Sequence, residues 1–152
     1  MRIAVGSDHA GFDLKADLAR HLAEAGHEVF DFGTDSAAVS VDYPIYGIAV
    51  ARAVAEGRAE RGVCVCGTGI GISISANKVA GVRAALIHDI FSAHQGVEDD
   101  DMNILCLGGK VIGPSLAIEL VNGFLAARFS GLPRHRRRLS KVAALENAHS
   151  DT

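Results

Sequence analysis

Short apolar runs alternate along this chain with longer segments whose apolar residues recur every three or four positions. Ile3 to Gly6 is the first short run and reads as a strand. After Gly11, Leu14, Leu18 and Leu22 stand four apart, while Lys15, Arg20 and Glu24 are expected to face outward. That spacing predicts an amphipathic helix, and Gly26 is placed to end it.

The same alternation continues to the end of the chain. Val29 to Phe32 predicts a second strand, and Gly33 to Val41, small and polar without a hydrophobic period, a loop. Asp42 precedes Tyr43-Pro44, and a proline in the first turn suits a helix running to Glu56. Val63 to Cys66 is a buried strand, broken by Gly67-Thr68-Gly69-Ile70-Gly71 and followed by a short helix to Lys78. A strand over Ala84 to Ile87, a helix around Phe91 to Val97, a strand over Ile104 to Leu107 and a helix over Pro114 to Ala127 complete the series. Alternation of this kind predicts a Rossmann-like three-layer α/β/α fold with a five-stranded parallel sheet, in a single domain spanning residues 1–152. After a break at Ser130 to Pro133, Leu139, Val142, Ala143 and Leu145 continue at helical spacing with no strand to return to. Such a terminal helix is expected to pack on another subunit, making the protein a homo-oligomer.

Charge and cysteine usage narrow the function classes. Fifteen basic and eighteen acidic residues leave a net charge of −3, which lacks the positive field that non-specific nucleic-acid binding needs. No apolar run approaches the ~20 residues of a membrane span, and the chain enters a strand without a signal-peptide pattern, so a cytoplasmic protein is expected. Three cysteines without a secretion signal argue for free thiols. Cys64 and Cys66 share a strand face, but no second Cys/His pair at zinc spacing accompanies them, and no metal is expected.

Ligands of an open parallel sheet bind beyond the carboxyl ends of its strands, so residues just after each strand carry the most information. The loop Gly67 to Gly71 lets backbone N–H groups approach a ligand and opens a helix, which suits a phosphate or a developing oxyanion. Its G-x-G-x-G spacing is a poor dinucleotide fingerprint, and Phe12-Asp13 stands where a P-loop needs Lys-Ser/Thr, so nucleotide binding is disfavoured. A thiol near a helix start, as at Cys66, can be activated to abstract a proton, whereas Cys64 and Cys106 lie within apolar runs as core residues. His9 can hold a phosphate while Asp8 accepts from sugar hydroxyls; equally, Asp8 can cap a helix with His9 in solvent. His88 is ambiguous, and His21, His27, His94 and His149 read as surface or satisfied residues. Arg134 and Arg138 are four apart in a basic run, a fork that matches a phosphate, a solvated charged face or a local nucleic-acid patch.

Several stretches in fixed order resemble the ribose-5-phosphate isomerase B and galactose-6-phosphate isomerase family. They are Gly6-Ser7-Asp8-His9-Ala10-Gly11, Asp42-Tyr43-Pro44, Cys66-Gly67-Thr68-Gly69-Ile70-Gly71-Ile72-Ser73, Ala76-Asn77-Lys78, Asn103-Ile104-Leu105 and Arg134-His135-x-x-Arg138. The resemblance runs from about Arg2 to Glu146. It implies a cofactor-free aldose–ketose isomerase of a small phosphorylated sugar, acting as a homodimer with shared active sites and binding neither nucleic acid nor membrane. By resemblance, Cys66 is the base that moves a proton between C1 and C2 through a cis-enediol, and Thr68 with the amides of Gly67, Gly69, Ile70 and Gly71 stabilises the oxyanion. Asp8, Tyr43 and Asn77 are expected to line the sugar pocket; His9, Arg134 and Arg138 are expected to bind phosphate, the arginines coming from the partner chain, with Lys110 assisting.

One position departs from the family pattern. Ribose-5-phosphate isomerases of this type carry a ring-opening histidine in a His-Asn or His-Asp pair, and Asp99-Asp100 occupies that pair here. Asp99 is therefore expected in the catalytic set and Asp100 in the substrate-binding set, with the ring-opening acid changed. Ribose 5-phosphate/ribulose 5-phosphate is the default substrate pair by resemblance. The alternatives are the same chemistry on a tetrose 4-phosphate or a hexose 6-phosphate, or a non-catalytic sugar-phosphate sensor.

Overall fold

The computed structural model describes the backbone of residues 1–150 and the side chains of residues 1–148. Among these residues, five strands form one parallel sheet in the order β2-β1-β3-β5-β4. They are β1 (Arg2–Ser7), β2 (Glu28–Asp31), β3 (Arg61–Cys66), β4 (Ala84–Leu86) and β5 (Ile104–Gly108). The helices are α1 (Phe12–Glu24), α2 (Tyr43–Ala55), α3 (Ile70–Ala76), α4 (Ile90–Asp100), α5 (Pro114–Ala126) and α6 (Pro133–Ser150), with a short 3-10 turn at His9–Gly11. No described helix is long and apolar enough to cross a membrane.

Two apolar layers follow from the period of two along each strand. Ile3 and Val5 of β1, Val63 and Val65 of β3, and Leu105 and Leu107 of β5 point to one face, where Leu14, Leu18 and Leu22 of α1 meet Val97 of α4 and Leu120 and Phe124 of α5. Ala4, Cys64, Cys66, Ile104 and Cys106 point to the other, under Val50 and Val54 of α2 and Ile72 of α3. Each large side chain fully buried in these layers contributes about 1.5–3 kcal/mol. The expected three-layer α/β/α arrangement is thus present, and α1 ends as its sequence suggests, with Gly26 at φ 88°.

Three local expectations need correction. Lys15, expected to face outward, is buried, because the end of β2 supplies a carboxylate for its ammonium, Asp31 Oδ2, at 2.7 Å. Helix α4 continues to Asp100, beyond the expected Val97, so Asp99 and Asp100 are helical. Strand β2 begins at Glu28 and stops at Asp31, with Phe32 just past its end. The side chain of His149 lies outside the described residues.

Topology fixes where a ligand can bind. The chain passes from β1 outward to β2 and then returns to the other side of β1 as β3, so the order reverses between β1 and β3. A crevice opens at the carboxyl ends of two such strands.

Candidate active site

β1 and β3 run in register with Ser7 opposite Val65, so Asp8 and Cys66 emerge side by side at the carboxyl end of the sheet, on strands ~4.8 Å apart. The strand-to-loop transition at Cys66 is fixed from β5, where Gly109 N–H donates to the Cys66 carbonyl at 2.8 Å and Lys110 N–H to the Gly67 carbonyl at 3.0 Å. The chain then turns through Gly69 at φ 82°. A Cβ there would come within 2.8 Å of the Leu107 backbone and 2.6 Å of Leu86 Cδ1, so both the turn and the close approach require glycine.

This turn aims the loop at the thiol. Gly69 N–H donates to Cys66 Sγ at 3.1 Å, an arrangement that accommodates negative charge on sulfur. Thr68 is exposed beside it, its Oγ1 accepting from Ile70 N–H at 3.3 Å. Ser73 N–H already bonds the Gly69 carbonyl. The N–H groups of Gly71 and Ile72, in the first turn of α3, have no intrahelical acceptor, and Ile72 is fully buried. Ile70 is exposed at the start of the same helix. The Tyr43 ring, at the start of α2, lies on Gly71 so closely that a Cβ would sit 2.6 Å from its Cζ.

Cys64 and Cys106 are fully buried inside the sheet, and Cys66 is 4% exposed at its end. A side-chain hydrogen bond in which the Cys64 S–H is shared with Cys106, and then burial, push the Cys64 thiol well above the usual range.

Two polar groups from β1 complete this end. Asp8 accepts from Gly11 N–H through Oδ1 at 3.1 Å, so it caps the 3-10 turn and keeps Oδ2 for another donor. Capping and ligand binding, alternatives in the sequence, are compatible in space. His9 is half-buried, and Val41 N–H donates to its Nδ1 at 3.1 Å. Nδ1 is thus an acceptor, which leaves the ring proton on Nε2 as a donor. Lys110, exposed after β5, leans toward Gly67 with Cδ 3.6 Å from where a Cβ would stand. His88 has its Nε2 occupied by Gly108 N–H at 3.0 Å.

The remaining candidates lie at the opposite end of the sheet. α4 starts after β4 and runs back for 11 residues, and Asp99 and Asp100 end it beside the start of β5. At 1.5 Å per residue that is a retreat of about 16 Å. Ser130 N–H bonds the Glu98 carbonyl at 2.9 Å, which brings the start of α6, with exposed Arg134 and Arg138, to this same end. Within one chain, therefore, Asp99, Asp100, Arg134 and Arg138 do not meet Cys66. Asn77 is also misplaced for the pocket expected of it: its amide donates to the Ala84 carbonyl at 2.8 Å and accepts from Ala84 N–H at 2.9 Å, pinning the start of β4.

Asp99 accepts from Gln95 Nε2 at 2.7 Å through Oδ2, and its Oδ1 is 3.5 Å from His135 Nε2. His135 is buried, and its Nδ1 is 2.6 Å from Ser130 Oγ. Sequence reading gave His135 no part; the available signal was helical spacing, which puts it on one face with Leu139, whereas Arg134 and Arg138 face away.

A parallel sheet whose reactive groups gather at the switch point is the arrangement of an α/β enzyme acting on a small ligand. A family model described as ribose/galactose isomerase matches residues 3–142. The chain is 44% identical to ribose-5-phosphate isomerase B of Escherichia coli (strain K12), covering 95% of this chain and 96% of that protein. It is 40% identical to D-erythrulose-4-phosphate isomerase of Pectobacterium atrosepticum, covering 86% of each. Among solved structures, Clostridium thermocellum ribose-5-phosphate isomerase B superposes with a TM-score of 0.95 at 46% identity, over 98% of this chain and 99% of that one. The chain belongs to the ribose/galactose isomerase family, a family of sugar-phosphate isomerases.

Proposed function

We propose that this protein interconverts the aldose and ketose forms of a small sugar phosphate in the cytoplasm. Two copies of the chain complete its site, and a four-carbon sugar 4-phosphate is preferred over ribose 5-phosphate. In the forward step, the Cys66 thiolate removes the proton on C2 of the open-chain aldose, and the C2–H electrons form the C1–C2 double bond of the cis-enediol as the carbonyl π pair moves to O1. The N–H of Gly71, with Thr68, stabilises charge on oxygen. Return of the proton from sulfur to C1, with transfer of the O2 proton to O1, gives the ketose. Asp8 and Tyr43 border the sugar, and the His9 Nε2–H and Lys110 meet the phosphate. Arg134 and Arg138 of a second copy close the site, because in their own chain they stand at the far end of the sheet.

The preference rests on Asp99. A pentose 5-phosphate closes into a furanose through its C4 hydroxyl, and an acid must protonate the ring oxygen before proton transfer at C2 begins. Asp99 stands where the family's ring-opening histidine is expected, and its Oδ2 accepts a hydrogen bond from Gln95 while its Oδ1 faces His135. A carboxylate used as an acceptor offers no proton. In a tetrose 4-phosphate the C4 oxygen is esterified, no furanose closes, and no such acid is needed. The relative from Pectobacterium atrosepticum, whose name carries a four-carbon ketose phosphate, supports the same choice.

The test is kcat/KM for D-erythrose 4-phosphate and D-ribose 5-phosphate in wild type and Asp99→His, followed by proton NMR. Wild type is expected to favour the tetrose, and Asp99→His to gain on the pentose. A wild type that already favours ribose 5-phosphate, unimproved by histidine, overturns the substrate reading.

A further inference from the structure

A buried charge on α1 and the ring of His9 meet the two ends of one loop, residues 32–41. The Lys15 side chain is 4% exposed. Taking an ammonium out of water is unfavourable unless its protons are met, and here two acceptors meet them. Nζ donates to Asp31 Oδ2 at 2.7 Å and to the Thr34 carbonyl at 3.2 Å, and it lies 5.0 Å from the centre of the Phe12 ring. The other Asp31 oxygen accepts from Gly33 N–H at 2.8 Å. Gly33 is wedged so tightly that an added Cβ would stand 2.8 Å from Ser7 N and 3.2 Å from Lys15 Cε.

From this anchor the chain leaves β2 as the loop 32–41. Phe32 N–H and Thr34 N–H bond the Val5 and Ser7 carbonyls at 2.8 and 3.0 Å, which ties the loop's first residues to β1. Beyond Thr34 the loop is exposed at most positions and has one internal contact, Ala38 N–H to Ser36 Oγ at 3.0 Å. It ends on the bond from Val41 N–H to His9 Nδ1 at 3.1 Å. The loop is thus held at its start by β1 and Lys15 together and at its end by His9. The second fixes which nitrogen of His9 carries its proton, and a donor at Nε2 is what a phosphate oxygen needs.

We propose that Lys15 is a positioning residue for phosphate recognition: its buried ammonium anchors the 32–41 loop so that Val41 N–H holds the His9 ring with Nε2–H presented to the ligand. The proposal rests on His9 being a phosphate donor, and a double-mutant cycle separates the two claims. Lys15→Met, which keeps the stem and removes the charge, is expected to raise KM for D-erythrose 4-phosphate roughly tenfold, the size of one hydrogen bond to a charged group. Its kcat is expected to stay within about twofold, because Cys66 and its loop are held from β5. Ribose 5-phosphate serves as the second substrate. In a His9→Ala background the same change should add less than about twofold, because the group through which it acts is gone. Nitrogen NMR of the His9 ring should show protonated Nε2 and bare Nδ1 in wild type, and a mixture in Lys15→Met. If Lys15→Met does not fold, Asp31→Asn weakens the same anchor and should raise KM in the same direction, again only when His9 is present. An unchanged KM, or an equal rise in both backgrounds, overturns the role of Lys15. An unchanged KM in His9→Ala alone overturns the reading of His9.

Discussion

His135 Nε2 stands 3.5 Å from Asp99 Oδ1, and through this contact the last helix meets the end of α4. Because His135 is buried and its Nδ1 is 2.6 Å from Ser130 Oγ, the ring joins the break before α6 to the helix before β5. Arg134 and Arg138 flank it on the exposed side of the same helix. Removing the ring leaves Ser130 and Asp99 without it. His135→Ala is expected to destabilise the protein by about 1–3 kcal/mol and to raise the substrate KM with little change in kcat. Urea denaturation and steady-state kinetics on the same preparation check both parts.

The three cysteines differ sharply in what surrounds them. Cys66 meets the glycine loop, whereas Cys64, pushed up by Cys106 and by burial, lies inside the sheet. Iodoacetamide at neutral pH is expected to label Cys66 alone and abolish turnover, and a sugar phosphate ligand is expected to slow the labelling. Mass spectrometry of tryptic peptides reads the position. Cys66→Ala should likewise lose turnover while sugar-phosphate affinity stays within a few-fold, since the sulfur acts on C–H and not on phosphate.

Gly69 and Gly26 have nearly the same backbone conformation, φ 82° and 88°, but different surroundings. A Cβ on Gly26 meets nothing within 4 Å, while one on Gly69 meets the Leu107 backbone at 2.8 Å. Gly26→Ala should therefore lose only the left-handed penalty of about 1–2 kcal/mol. Gly69→Ala should lose more than that and displace the N–H that reaches Cys66 Sγ. Chemical denaturation midpoints of the two variants, with kcat measured alongside, test the difference.

The alternation of strands and helices was legible in the sequence because each element buries one face, and burial writes a period of two or 3.6. The cysteine loop was legible because its glycines are required by a turn and by close packing, both local. Lys15 was not: its position beside Leu14 and Leu18 reads as the flank of a surface helix, and only the return of β2 brings Asp31 to it. Asn77 was assigned to the sugar, yet its amide closes a turn onto Ala84, a contact set by the next strand. For Asp99, Asp100, Arg134 and Arg138, motif order says that they belong to one chemistry, but not that the fold holds them at the other end of the sheet from Cys66 in the same chain.

That separation makes subunit mixing the most direct measurement of the shared site. Cys66→Ala and Arg138→Ala are each expected to be severely impaired, the first in turnover and the second in binding. When equal amounts exchange subunits at random, half of the dimers are hybrid, and each hybrid holds one intact site with Cys66 from one copy and Arg138 from the other. Recovery of about one quarter of wild-type activity is expected. Activity that stays at the average of the two parents after confirmed exchange would contradict a site built from two chains.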